Sequence, residues 1–184
     1  VLDADPDAQL NADWFATRLS VALAIREKLF DAPFYRLIHA EADGLPGVVI
    51  DRFGELVVIQ PNAAWAETHI NALASAVAQV TGVGTILKNA SGRARQLEGL
   101  EDRSVVLQGA APTDPIPVQM NGATYMADVT LGQKTGLFFD QRPNHAMAAR
   151  MAAGARVLDV FSHVGGFALA ALAGGAANAL SVDG

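Results

Sequence analysis

The chain has 184 residues, of which 51% are hydrophobic and 17% charged, and it contains no cysteine. This composition is typical of a globular protein of one or two domains, and it excludes a disulfide scaffold and a thiol nucleophile within these residues. The formal net charge of −6 argues against broad, non-specific binding to a polyanion. No apolar run reaches the roughly 18 residues of a membrane helix, so we expect a cytoplasmic protein without a membrane partner.

The sequence begins at Val1 rather than at a methionine and stops directly after a predicted strand. We therefore expect it to be part of a longer protein. Its first part predicts an acidic linker and a helix over residues 1–31 and a small α/β domain over residues 32–112. The elements of this domain follow the order strand-strand-strand-helix-strand-strand, which indicates an α+β module. Its first strand, residues 34–40, alternates between two faces and so places Arg36 and Ile38 on the same side.

From residue 113 to residue 184 the pattern changes to that of a parallel α/β domain. Asn121-Gly122 lies between two short strand patterns and is typical of a tight hairpin turn. Further on, two nearly continuous apolar runs, residues 156–161 and 177–182, flank a short helix over residues 166–173. Runs of this kind predict buried parallel strands joined by a helix. We therefore expect an α/β fold in which the small domain is followed by the start of a Rossmann-like domain.

The loop after the first of these parallel strands is the main candidate site. The strand ends in Asp159-Val160-Phe161, and Gly165-Gly166 open the next helix. Such a loop forms a ligand crevice at the carboxyl edge of the sheet, where glycines admit a ligand close to the backbone. Asp183, at the end of the next strand, has a carboxylate that can accept from both hydroxyls of a ribose. The alternative is that the glycines only allow tight packing between helix and strand.

The spacing within this loop also bears on the class of ligand. The Gly-x-Gly-x-x-Gly pattern of dinucleotide sites is absent, because Phe161 and His163 stand where small residues would be expected. This argues against a nicotinamide-dependent oxidoreductase, which is one alternative function. A ligand with an adenosine but no pyrophosphate fits better, and S-adenosylmethionine is the obvious one.

A second motif, Leu131–Arg142, joins the hairpin to the next helix. It combines charged side chains, among them Lys134 and Asp140, with the apolar cluster Leu137-Phe138-Phe139. This mixture is unusual for a plain loop and indicates a binding role. The alternative is a simple helix start, with Asp140 near the first turn and paired to Arg142.

Three stretches together resemble one family: Glu41–Gly47 with Asp51-Arg52, Gly132–Arg142, and Leu158–Phe167. They are similar to the S-adenosylmethionine-dependent ribosomal RNA methyltransferases typified by the large-subunit cytosine-C5 enzymes, which carry an N-terminal RNA-binding PUA domain. The resemblance implies S-adenosylmethionine as cofactor, ribosomal RNA as partner, and a Rossmann-like domain preceded by a small domain that helps to hold RNA. The cofactor-binding residues that it implies are Lys134, Thr135, Asp140, Arg142, Asp159, Phe161, Ser162, Gly165, Gly166 and Asp183.

The catalytic residues stay unassigned. C5 of cytosine is a poor nucleophile, and the family activates it by adding a cysteine thiolate to the neighbouring ring carbon. Because these residues include no cysteine, that nucleophile would have to lie after Gly184. A ring nitrogen could instead attack the methyl group directly, so methylation at carbon or at nitrogen is left open. A non-catalytic RNA-binding or assembly module is the alternative from another class.

Two further features concern partners. A basic strip comprises Lys88, Arg93, Arg95 and Arg103. Three acidic residues between positions 98 and 102 largely offset its charge, which favours a solvated face over an RNA groove. The four histidines are scattered without ligand spacing, so no metal site is expected. An unfinished parallel sheet would expose an edge and apolar surface, which makes a homodimer one expected form of the chain.

Overall fold

The computed structural model describes residues 2–130 and 135–184, which pack as two compact units, one up to Ala111 and one from Pro112. The expected mixed α/β class is confirmed, while the domain boundaries after residues 31 and 112 stay predictions. The first unit consists, in chain order, of α1 (Ala12–Leu29), β1 (Phe34–His39), β2 (Val48–Phe53), β3 (Leu56–Pro61), α2 (Ala64–Thr68), α3 (Ile70–Thr81), β4 (Thr85–Lys88), α4 (Arg93–Leu97) and β5 (Val105–Gln108).

The five strands of the first unit form one sheet in the order β1-β2-β3-β4-β5. β3 and β4 run parallel, and the other neighbours are antiparallel. Asn11 caps the start of α1, since its side chain accepts a hydrogen bond from the amide of Trp14 at 3.0 Å. Phe15 and Leu19 of this helix are fully buried in the same core as Leu73 of α3. The N-terminal helix is therefore an integral part of the first unit.

β1 departs from the predicted alternation. Its register against β2 shifts between Arg36 and Ile38, and both Leu37 and Ile38 are fully buried. The prediction that Arg36 and Ile38 share a face is therefore wrong. The guanidinium of Arg36 binds the buried carboxylate of Asp51 instead, with 2.8 Å between Nε and Oδ1. The bulge lets one strand satisfy this ion pair and still fill the core.

The five-residue helix α4 was not predicted, because its sequence has no apolar periodicity. Its Arg95 points inward with 1% of its surface exposed, and Lys88 of β4 is 6% exposed. The prediction of a solvated basic face is therefore wrong for these two residues. Both form ion pairs with Glu67, which explains how charged side chains are retained in the interior.

The second unit begins with a hairpin and continues as a βαβ unit. Its elements are β6 (Ile116–Met120), β7 (Ala123–Ala127), a 3-10 turn (Phe139–Gln141), α5 (Arg142–Met151), β8 (Arg156–Val160), α6 (Gly166–Ala173) and β9 (Asn178–Val182). Asn121 and Gly122 have φ values of 52° and 76°, as the predicted turn requires. β6 and β7 pair antiparallel over their full length, so the hairpin is confirmed.

β8 and β9 pair in parallel, with Leu158 opposite Leu180 and Val160 opposite Val182. The βαβ unit is therefore confirmed, but the prediction that its strands are buried is wrong on one side. α6 packs on these strands, and yet those four side chains are 46–64% exposed. We call them the apolar face; no described element of the second unit covers it. Across both described ranges, no helix is long and apolar enough to cross a membrane.

Candidate functional site

The loop between β8 and α6 is held in an unusual backbone conformation. Phe161, His163 and Gly165 all have positive φ values, of 61°, 51° and 75°. For the two residues that are not glycine this region is sparsely populated, so the surrounding contacts must hold it. The amides of Phe161 and Ser162 both donate to the carbonyl of Val182, at 2.8 and 3.2 Å. The loop is therefore tied to the end of β9, directly before the exposed Asp183.

Asp159 anchors the other end of the loop. Its side chain is buried, and Oδ2 accepts a hydrogen bond at 3.0 Å from the amide of Ala168, in the first turn of α6. A carboxylate at this position satisfies a free amide and interacts favourably with the helix dipole. Asp159 therefore fixes the strand, the loop and the helix relative to one another.

The paired glycines are required for different reasons. A methyl group on Gly166 would lie only 2.6 Å from Cε1 of His145 on α5, so this glycine is needed for close packing. The packing alternative thus holds for Gly166, although the neighbour is a helix and not a strand. A methyl group on Gly165 would meet Leu169 and Ser181 at ordinary distances of 3.6 and 3.7 Å. Gly165 is instead favoured by its left-handed backbone.

A cavity of about 120 Å³ lies beside this loop within the second unit. It is lined by Met120, Tyr125, Leu137, Phe138, Gln141, His145, Phe161, Ser162, His163, Val164, Gly166 and Phe167. Three of the predicted site residues, Phe161, Ser162 and Gly166, are among them. The cavity is large enough to admit several waters or a small ligand group.

His145 is the lining residue with the most unusual surroundings. It is 6% exposed, and its ring lies 4.5 Å from that of Phe167 and 6.3 Å from that of Tyr125. Its Nδ1 has no hydrogen-bond partner among the described residues. Burial lowers the pKa of this imidazole, against the opposing charges of Asp159 and Asp140, so the ring is neutral at pH 7. A buried unpaired nitrogen beside a cavity can be satisfied by an ordered water or by a ligand group that enters the cavity.

In the sequence His145 is one of four scattered histidines, so its place in the cavity is not predicted. Nothing in its local spacing marks it, because its neighbours in the cavity come from β7 and α6. Phe138 and His163, whose rings are 5.1 Å apart, are likewise brought together only by the fold.

The predicted residues of the second motif are not among the lining residues that the structure describes. Lys134 is outside the described residues. Thr135 is buried and donates to the carbonyl of Leu137 at 3.4 Å. Asp140 is exposed in the 3-10 turn. Arg142 begins α5, and its carbonyl accepts from the side chain of Asn121 at 2.9 Å. Thr135, Asp140 and Arg142 are therefore outside the cavity lining, whereas Leu137, Phe138 and Gln141 of the same motif belong to it.

Two different surfaces therefore flank the loop. Gly165 faces Ser181 of β9, and two residues further along the chain is the exposed carboxylate of Asp183, which suits a pair of hydroxyl donors. On the side of Gly166 lies the cavity with the unpaired nitrogen of His145. A ligand that crosses the loop can place a sugar on the first side and a small polar group on the second. No group of three or more His, Asp or Glu in residues 2–130 and 135–184 could hold a metal ion.

Residues 42–184 match the family of S-adenosylmethionine-dependent methyltransferases. The chain belongs to this family. Ribosomal RNA large subunit methyltransferase I of Erwinia tasmaniensis is 38% identical over 180 residues, which are 96% of this chain and 46% of that protein. The enzyme of the same name from Tolumonas auensis is also 38% identical, with the same coverage. The chain spans about half the length of these curated relatives.

Solved structures agree with this assignment. A Streptococcus mutans protein described as a SAM-dependent methyltransferase superposes with a TM-score of 0.81 at 26% identity, over 96% of this chain and 46% of that one. The structure of SMU.776, described as a methyltransferase, contains SAH and superposes with a TM-score of 0.80 at the same identity and coverage. S-adenosylmethionine is accordingly the cofactor of the family. The left-handed Gly165, the exposed carboxylate of Asp183 and the aromatic lining of the cavity are chemically compatible with it.

Proposed function

We propose that the whole protein transfers a methyl group from S-adenosylmethionine to large-subunit ribosomal RNA, at C5 of a cytosine. The observation that carries the proposal is the loop over residues 161–166, which is bonded to the end of β9 directly before the exposed Asp183 and has a small, mainly apolar cavity beside Gly166. The relatives named ribosomal RNA large subunit methyltransferase I support the substrate class. The proposal includes a cytoplasmic location and the N-terminal PUA domain that the sequence resemblance implies.

In this proposal the cofactor lies across the loop. Asp183 holds the two ribose hydroxyls, Gly165 lets the ligand approach the backbone, and the cavity beside Gly166 takes the amino-acid end. Asp159 acts as a positioning residue, because its carboxylate is occupied by the amide of Ala168. Residues at the junction before α5 border the same site: Lys134, Thr135, Asp140 and Arg142.

Bound S-adenosylmethionine supplies an electrophilic methyl group on a positively charged sulfonium. The chain's contribution is position and electrostatics. The rings of Phe138 and Phe167 present π faces and apolar edges that suit a cationic ligand, and the neutral His145 adds no repelling charge. Methylation at a carbon also requires a thiolate, which is not among these 184 residues because they contain no cysteine.

Methylation of isolated large-subunit RNA by the whole protein tests this function. Labelled S-adenosylmethionine and RNA from cells lacking the enzyme are incubated together, and the nucleosides are separated by mass spectrometry. We expect labelled 5-methylcytidine. Label on a ring nitrogen would overturn the assignment to carbon, and unlabelled RNA would overturn the substrate class.

Calorimetry with Asp183→Asn tests the cofactor site, because this substitution removes the charge from the proposed pair of hydrogen bonds to the ribose. We expect the Kd for S-adenosylhomocysteine, measured by calorimetry, to rise by about 10- to 100-fold, or roughly 1–3 kcal/mol. Asp114→Asn is the matched control, because Asp114 is an exposed carboxylate of the same unit away from the loop. Equal affinity in both variants would remove Asp183 from the site.

A further inference from the structure

The first unit contains a separate and larger cavity, of about 520 Å³. It is lined by Glu67, Ile70, Lys88, Arg95, Gly99, Leu100, Glu101, Arg103, Val105 and Leu107. We call it the Lys88–Arg95 pocket. Three of its side chains are cationic and two are acidic, on a chain whose formal net charge is −6. The charge of the lining is therefore opposite in sign to that of the whole chain.

Two of the cations are buried and share one carboxylate. Nζ of Lys88 lies 2.6 Å from Oε1 of Glu67, and Nη1 of Arg95 lies 3.0 Å from Oε2. Burial alone would raise the pKa of Glu67, but the hydrogen bonds and charges of Lys88 and Arg95 lower it, so Glu67 is ionised at neutral pH. With Glu101 and Arg103 included, three cations face two carboxylates, and a small positive excess remains in the pocket lining.

Arg95 is held rigidly and still has an unused donor. Its guanidinium donates to the carbonyls of Pro61 and Glu101, the latter at 2.7 Å. Its Nε is buried and has no partner among the described residues. The contribution of Arg95 to the pocket is therefore a fixed positive charge at the wall, and arginine is the side chain best suited to phosphate oxygens.

The rim and floor of the pocket add complementary features. Arg103 is exposed at the edge and supplies a third positive charge. Glu98 lies nearby in sequence but outside the lining, since its carboxylate accepts from the amide of Ala64 at 3.2 Å. Ile70, Leu100 and Leu107 form an apolar wall that can pack against a sugar or a base. The volume is sufficient for one nucleotide.

We propose that the Lys88–Arg95 pocket binds one nucleotide of single-stranded RNA, with its phosphate on the cations and its sugar or base on the apolar wall. A single strand is favoured because the bases of a duplex are stacked inside it and cannot enter a pocket. The choice of RNA rests on the proposed function; the anion site itself rests on the charges and distances above.

A pair of exposed arginines provides the test. Arg103 lines the pocket, whereas Arg93 is exposed on α4 and does not. A fluorescent oligouridylate is titrated into the unsubstituted chain, Arg103→Gln and Arg93→Gln, and anisotropy is recorded at several salt concentrations. We expect Arg103→Gln to weaken binding about 3- to 10-fold and to reduce the salt slope by about one, while Arg93→Gln stays within about twofold. Equal weakening by both variants would mean a general electrostatic effect and would overturn the proposal.

Competition identifies the bound group. Uridine monophosphate should displace the oligouridylate at a lower concentration than inorganic phosphate does; equal potency would overturn the role of the apolar wall. Duplex RNA that binds as tightly as the single strand would overturn the choice of strand. Lys88→Met, checked by thermal melting, probes the buried cation and should weaken binding at least as much as Arg103→Gln. Arg103→Gln and Lys88→Met should both bind S-adenosylhomocysteine with unchanged affinity. A failure of the proposed cofactor site can therefore be distinguished from a failure of the RNA pocket.

Discussion

The imidazole of His145 lies between two aromatic rings, and its Nδ1 has no partner in the described part of the chain. Leaving a buried nitrogen unpaired costs about 1–3 kcal/mol. A ligand that supplies the missing hydrogen bond recovers this energy on binding. Because the cavity is small, the ligand group concerned must be compact, and the amino-acid end of S-adenosylmethionine meets that requirement.

His145→Phe tests this contact, since phenylalanine retains the ring and loses the nitrogens. We expect the affinity for S-adenosylhomocysteine to fall about tenfold, which is about 1.4 kcal/mol. The affinity for 5′-methylthioadenosine should stay unchanged, because that molecule lacks the amino-acid end. Calorimetry with the two ligands measures the difference directly.

Comparison of the two ligands also distinguishes a direct contact between His145 and the ligand from a purely structural role of its ring. A purely structural role of His145 would weaken both ligands to the same extent, and that result would contradict the contact. His145→Gln, which keeps a hydrogen-bonding side chain, should restore part of the lost affinity. Thermal melting of each variant shows whether the second unit remains folded.

At the level of elements, the contact between α5 and α6 depends on the absence of a side chain at Gly166. Gly166→Ala would bring its methyl group against the ring of His145, and overpacking of this kind costs about 1–3 kcal/mol. We expect the midpoint of urea unfolding to fall accordingly, with the slope unchanged.

Gly84→Ala is the control for this substitution. A methyl group at Gly84 meets no atom within 4 Å, and its φ is not positive. Both variants add one methyl group, but only Gly166→Ala creates a close contact. If Gly166→Ala unfolds at the same urea concentration as Gly84→Ala, then α5 and α6 are not packed as closely as described.

The elements that sequence predicts well are those fixed by local chemistry. Asn121-Gly122 defines its turn by backbone preference alone, and the apolar runs around residues 156–161 and 177–182 define parallel strands by their length. The bulge in β1 was missed because it depends on the ion pair between Arg36 and Asp51, which are 15 residues apart. Helix α4 was missed because Arg95 is buried through partners that only the fold supplies.

The residues of the candidate site likewise fall into those that local sequence predicts and those that depend on the fold. The loop with Gly165-Gly166 and the carboxylate of Asp183 are each readable from a few consecutive residues and the order of the strands. His145 is not, since its significance depends on a cavity to which β7 and α6 both contribute. Asp159 was singled out as a site residue, but its hydrogen bond to Ala168 became visible only in three dimensions.

For the whole molecule, the apolar face of β8 and β9 is the feature that bears on assembly. Leu158 and Leu180 are directly opposed and 64% and 61% exposed. Apolar surface of this kind favours association, and we propose that this chain forms homodimers through it. Leu158→Lys should shift the sedimentation coefficient toward that of a monomer, because it places a charge in the centre of the face.

Leu97→Lys is the matched control for assembly. Leu97 is 79% exposed on α4, outside the apolar face, so the same change there should leave the sedimentation coefficient as it was. A chain that sediments as a monomer without any substitution would contradict the homodimer. So would an equal response of the two lysine variants.

The carbonyl of Val182 accepts two successive amides of the glycine-rich loop. The loop before α6 and the end of β9 are therefore held together. A ligand that contacts both of them binds to groups whose separation is already fixed. The conformational entropy lost on binding is then mainly that of the ligand. Such a rigid site selects ligands by their length. A molecule whose two ends match the fixed distance makes both contacts, whereas a shorter molecule makes only one of them.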